Sequence, residues 1–172
     1  MAKLTDEQIS EKLDEVKKIK FWLDPDPTVL GLNTILVKLA ECQNQKSRVS
    51  AMIMEAMQNV AIHEIEKEEV QHKYDGQIEL LLATDPGVSA QKSAEMRQTH
   101  AKLKMPQLVM DLHIAEVAAL KSTWYLKLLQ SVYADLESGN TNLSRQITVI
   151  QLESSFNGGQ PLPKGVIRSI NI

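Results

Sequence analysis

Apolar residues recur at steps of three and four along most of this chain, and the longest such run extends from Ser89 to Glu137. Within it Leu108, Leu112, Ala115, Ala119, Leu126, Leu129, Tyr133 and Leu136 form one series, with Ser122 the polar member between them. That spacing draws an apolar stripe down one side of a helix, close to a coiled-coil seam. A stripe of this length requires a second long helix to cover it. The pattern therefore predicts a long helix over 89–137, kinked near Pro106, whose ring cannot donate to the helical ladder, and closed by Gly139.

The other elements are signposted in the same way. Thr5 and Gln8 have capping-box spacing, Leu4 and Ile9 sit where a hydrophobic staple needs them, and Ile9, Leu13, Val16 and Leu23 continue one face. A helix over 5–23 follows, ended by Asp24-Pro25-Asp26-Pro27, because a residue before proline is pushed out of the helical region. Asp26 as N-cap and Pro27 at the first helical position open a second long helix over 27–75. Its apolar face reads Val29, Leu32, Leu36 and Leu39, and later Val49, Ile53, Ala56 and Val60, with Met52 and Met57 flanking. The stretch from Glu41 to Arg48 is polar almost all round, charges dominate from His63 to Lys73, and Gly76 is a weak point or end. Ser89 or Ser93 caps the next helix. A last helix over 141–155, capped by Asn140, Thr141 or Asn142, carries Leu143, Ile147 and Ile150 inward. Residues 157–172 read as an irregular tail and residues 1–156 as a single helical domain.

Strands have little support, since β-branched and aromatic residues rarely alternate with period two. The class is all-α: two long antiparallel helices forming a helical hairpin, short helices at each end, and assembly as a homo-oligomer. The formal charge of −3 is unevenly spread, with 10 Lys/Arg against 14 Asp/Glu in residues 1–75 and 9 against 8 in residues 76–172. That balance excludes a broadly basic nucleic-acid binder and leaves only a local cationic stretch to meet phosphate. Cys42 is the sole cysteine, so no internal disulfide forms and a reducing compartment is expected. The first residues carry no hydrophobic run of the secretory kind, and nothing approaches the ~20 apolar residues of a membrane span. The expected address is cytoplasmic, the host cytoplasm for a phage-encoded chain, with no membrane partner.

Catalytic chemistry is poorly represented. Glu69-x-x-His72 has the spacing used by ferritin-like carboxylate bundles, but those sites need a second copy, and around His113 the glutamate, Glu116, follows instead. His63-Glu64 fails to extend to a zinc-protease motif because position 67 is Lys, and no phosphate loop or nucleophile elbow is present. The expectation is a non-enzyme without a cofactor. The better candidate is electrostatic: Arg97, His100 and Lys104 share a helical face, flanked by Lys92 and Lys102, with Lys73 before the turn at Thr84-Asp85-Pro86-Gly87. Such a stripe tracks a phosphodiester backbone. The bland alternative is that these cations solvate the side opposite Met96 and Leu103. Tyr74, Trp124 and Tyr125 are the aromatic candidates for stacking on unpaired bases, although Trp124 and Tyr125 fall inside the apolar run, where aromatic residues usually belong to a core or interface.

The order of these features resembles the recombination mediators of T4-like phages, the UvsY family, over roughly residues 35–156. The resemblance is carried by a long helix, an interruption, a second long helix after Ser89 or Ser93, the Lys-rich opening Gln98-Thr99-His100-Ala101-Lys102-Leu103-Lys104, the segment Trp124-Tyr125-Leu126-Lys127, and the closing Ser144-Arg145-Gln146-Ile147 with Phe156 beyond. It implies a small oligomer that binds single-stranded DNA and helps to load a recombinase onto strand coated by a single-strand-binding protein. Lys73, Lys92, Arg97, Lys102 and Lys104 would carry the contact. Where the family sets Lys or Arg before its Tyr-Gly interruption, this chain has Glu64, Glu66, Lys67, Glu68 and Glu69 before Tyr74 and Gly76. The competing expectation is a non-enzymatic structural or assembly protein, a virion or scaffold component, in which the same helices pack on copies of themselves.

Overall fold

The structure, a computed structural model, describes residues 4–19 and 31–158. Every regular element among them is a helix: α1 (Asp6–Lys18), α2 (Leu32–Thr84), α3 (Pro86–Ser89), α4 (Ala94–Lys104) and α5 (Pro106–Gly158). The residues fall into two compact units, Met1–Leu13 with Ile53–Leu128 and Asp14–Met52 with Leu129–Ile172. Leu23, the Asp24–Pro27 stop, the Asp26 cap and the 159–172 part of the tail lie outside the described residues.

The start of α1 follows the sequence signals closely. The Thr5 N–H donates to Gln8 Oε1 at 3.0 Å and the Gln8 N–H donates to Thr5 Oγ1 at 3.3 Å, which is the reciprocal capping box. Leu4, Ile9 and Val16 are buried. In the first unit the Leu4 N–H donates to Asn59 Oδ1 at 3.2 Å and Lys12 pairs with Glu55, so α1 descends α2 as α2 ascends.

Burial along α2 recurs every seven residues, at Ile35, Cys42, Val49, Ala56 and His63. Heptad spacing of this kind keeps one seam turned towards a partner helix. The expected face centred on Leu32, Leu36 and Leu39 is corrected by about a quarter turn: Ile35 is fully buried and Leu36 is 44% exposed. The Glu41–Arg48 stretch is likewise not polar all round, because Cys42 lies on the seam. On α5 the matching buried series is Ser122, Leu129, Leu136 and Leu143, joined by Ala119 and Tyr125. Ser122, the polar break in the stripe, is buried and satisfies its hydroxyl on the Ala119 carbonyl at 2.9 Å. In the second unit the Cys42 thiol donates to the Leu136 carbonyl at 3.2 Å, Lys46 pairs with Glu137 at 3.0 Å, and the Lys46 ammonium stands 5.0 Å from the Tyr133 ring centre. These contacts make 42–46 and 133–137 neighbours there.

Three expected boundaries are displaced, each for a physical reason. α2 does not stop near Tyr74 or Gly76 but runs to Thr84. A single glycine costs a helix about 1 kcal/mol, which is too little to end it, whereas Asp85-Pro86 is a firm stop. At Pro106 the expected kink is a complete break: Met105 takes φ −133° and ψ 55°, and α5 begins afresh with proline in its first position. Gly139 ends nothing, since Leu136 and Leu143 hold the seam on both sides of it. The residues expected to cap a new helix lie inside α5 instead; the Thr141 hydroxyl donates to the Glu137 carbonyl four residues back, and the Asn140 carbonyl accepts from the Ser144 hydroxyl.

Candidate nucleic-acid interface

Four of the cationic candidates, Lys92, Arg97, Lys102 and Lys104, belong to a short cassette between the two long helices in sequence, and Lys73 lies on α2. Asp85 caps α3, accepting from the Gly87 N–H at 2.8 Å and the Val88 N–H at 3.2 Å, and Val88 is fully buried. A side chain at Gly87 would place its Cβ 3.2 Å from the Asp85 carboxylate, so glycine keeps this cap open. α3 packs against α4. Of the two serines considered, Ser93 is the cap of α4, its Oγ accepting from the Met96 N–H at 3.1 Å; Ser89 lies inside α3. α4 therefore has its own start at Ser93 and its own stop at Met105-Pro106.

Lys92, Arg97, Lys102 and Lys104 are exposed, and Glu95 is the one acid among residues 92–104. Arg97, His100 and Lys104 share a face as the spacing requires. Lys102 does not flank it; at 3.6 residues per turn it lies roughly 170° round the helix from the centre of that face. Cations thus stand on opposite sides of α4. Lys104 pairs with Asp85 across the cassette. That ammonium, with the two capping N–H groups behind it, holds the Asp85 carboxyl below the usual carboxylate range. No carboxylate among the described residues pairs with Lys73, Lys92, Arg97 or Lys102. Lys73 is exposed on α2, in the same unit as α4.

Met96 and Leu103 do not mark an inward side of α4. They are 53% and 71% exposed, and the helix is anchored instead through Ala101 and Met105. The aromatic pair also divides: Tyr125 is buried, whereas Trp124 is 73% exposed. Tyr74 is half-buried. Trp124 stands between Lys121 and Lys127, three residues away on either side along α5.

The acidic stretch before Tyr74 is less uniform than its sequence suggests. His63 is buried at its head, with Nδ1 3.5 Å from Glu66 Oε2, and Lys67 pairs with Glu64 at 2.7 Å. The signal for His63 was present in the seven-residue step from Ala56. Glu69 and His72 are exposed, and no cluster of three or more His, Cys, Asp or Glu residues forms a metal-ligand set among the described residues. Cys42 is a fully buried thiol, and burial pushes its pKa up. No helix among the described residues is long and apolar enough to cross a membrane.

Beside α5 lies an open groove of about 440 Å³, walled by Leu4, Thr5 and His63 on one side and by His113, Ile114, Val117, Ala118 and Lys121 on the other. Several large apolar side chains remain uncovered nearby in sequence, among them Met54, Met57, Ile65, Met110, Leu120 and Trp124. Such side chains are worth about 1.5–3 kcal/mol each when fully buried. No protein-family model, curated protein or solved structure matches the chain.

Proposed function

We propose that this chain is a non-enzymatic accessory protein of the recombination-mediator kind, which binds single-stranded DNA and assists the loading of a recombinase onto strand held by a single-strand-binding protein. α2 and α5 are the arms of an antiparallel helical hairpin, and copies of the hairpin assemble as a homo-oligomer. The observation that carries the reading is the separately capped α4, whose segment 92–104 exposes Lys92, Arg97 and Lys102 against Glu95, with Lys104 held on Asp85 beside them. Lys102 lies opposite Arg97 and Lys104, so a strand crosses the helix instead of following its axis. Lysines supply point charges to phosphate, and Arg97 adds a forked donor. Repetition of the cassette in an oligomer multiplies a charge that one copy of a net-negative chain supplies only weakly.

Fluorescence anisotropy with a labelled oligonucleotide tests this directly. Binding should weaken steeply with salt, as counterion release demands, and Lys102→Glu with Lys104→Glu should weaken it further. No binding at ~50 mM salt refutes the reading.

A second reading, a structural or assembly protein, is favoured by the exposed apolar residues of α2 and α5. It predicts assembly that is indifferent to oligonucleotide and an anisotropy signal that never rises.

A further inference from the structure

Trp124 stands on the outer side of α5. In the first unit the inner side of that helix is marked by the buried Ala119, Ser122 and Tyr125. At 3.6 residues per turn Trp124 lies roughly 160° round from Ser122, close to diametrically opposite. An exposed indole alone assigns nothing; its surroundings do. No Asp or Glu occurs between Glu116 and Asp135, in a chain that carries 22 of them. Lys127, one turn on and roughly 60° round from Trp124, is exposed, and no carboxylate among the described residues pairs with it. Lys121, one turn back, is engaged within the chain, so the charge offered to an outside group falls to Lys127. Trp124 and Lys127 belong to the same unit as α4.

The cations of α4 account for attraction to phosphate but not for a choice between strands, because phosphate is common to single and double strands. What a single strand offers in addition is the open face of its bases, and an aromatic ring with a cation one turn away meets base and backbone together. A subunit contact would have to bury Lys127 with the ring, and lysine is depleted from the centre of such contacts. We propose that Trp124 is the residue by which this chain selects single strands: its indole stacks on an unpaired base while Lys127 meets the neighbouring phosphate. This rests on the reading of the chain as a single-strand binder and supplies the selectivity that α4 lacks.

The test uses the full-length chain. Trp22 is the other tryptophan, so the Trp22→Phe protein reports Trp124 alone. Its emission should be quenched saturably by oligothymidylate, with the midpoint that anisotropy gives for the same strand. A duplex, or a strand of the same length built of abasic sites, should bind without quenching. Trp124→Ala should weaken oligothymidylate binding roughly 5- to 100-fold while leaving duplex affinity and the salt slope unchanged. Trp124→Phe should keep most of the single-strand preference, and Lys127→Gln should lower the salt slope by about one. Circular dichroism checks that helicity is retained. Flat emission while anisotropy saturates overturns this inference alone, as does a Trp124→Ala protein that loses single-strand and duplex binding equally. Emission that shifts with protein concentration in the absence of oligonucleotide, with a lower mass for Trp124→Ala by light scattering, makes Trp124 a subunit contact and overturns it as well. An anisotropy signal that never rises for the unaltered protein overturns the single-strand reading and this inference together.

Discussion

The Cys42 thiol donates a hydrogen bond to the Leu136 carbonyl at 3.2 Å, joining the first turns of α2 to the far half of α5 inside the second unit. A thiol so placed is a packing group with a weak donor, not a nucleophile. Native protein should resist thiol reagents at pH 8 and react only as fast as it unfolds, which a labelling time course will report. Cys42→Ala should cost about 1–2 kcal/mol in denaturant unfolding, from lost packing and the lost bond. Burial raises the pKa of Cys42, so in alkali the unfolded thiol ionises while the folded one keeps its proton. The unfolded state then binds fewer protons, and this contribution to stability falls as pH rises through the ordinary thiol range. Cys42→Ala should remove that part of the alkaline slope.

Asp85 and Lys104 tie the start of α3 to the end of α4. The carboxyl is held below its ordinary value, so its contribution is present above that value and lost as pH falls through the depressed one. A carboxyl-carbon NMR titration should show a low midpoint for Asp85, and Lys104→Met should move it up. The same pair bears on nucleic acid. Asp85→Asn releases Lys104 from its partner, so oligonucleotide affinity should rise and the salt dependence steepen. If affinity does not change, Lys104 is a structural cation of the cassette.

Thr5→Ala removes the acceptor for the Gln8 N–H. The expected loss is about 1 kcal/mol, measured by thermal unfolding. Leu4→Ala should cost more, about 2–4 kcal/mol, because the side chain is buried.

Gly76 sits within α2, and a methyl group added there would meet no atom within 4 Å. Gly76→Ala should therefore stabilise the protein by about 0.5–1 kcal/mol through helix propensity alone. A loss of stability would show that the position is covered in solution, and light scattering on the same variant will show whether assembly has changed.

Local chemistry made much of this fold legible. The capping box at Thr5 and Gln8 and the turn at Thr84-Asp85-Pro86-Gly87 act within a few residues and are legible from the pattern, which leaves the cap open between Ser89 and Ser93 and gives Pro106 as a kink where the helix breaks. Gly76 and Gly139 carry the composition of helix ends, yet one glycine costs a helix too little to stop it, and at Gly139 the buried Leu136 and Leu143 hold the seam on either side. Residue type is a poor guide to exposure here: His63 reads as polar but keeps the heptad, while Leu36, Leu103 and Trp124 read as internal but are exposed. Among the cationic candidates, the shared helical face of Arg97 and Lys104 was legible from spacing, whereas Lys92 precedes the Ser93 cap. The engagement of Lys104 with Asp85 was not, because it depends on how α3 folds back on α4.

Ser93 and Met105-Pro106 give α4 boundaries that owe nothing to the long helices on either side of it. A segment insulated in this way can change its charge without sending strain into the seam, and only Ala101 and Met105 must keep their size. The cassette is thus the part of the molecule most open to evolutionary retuning, and two descendants of this chain should diverge there first while their long helices stay superimposable.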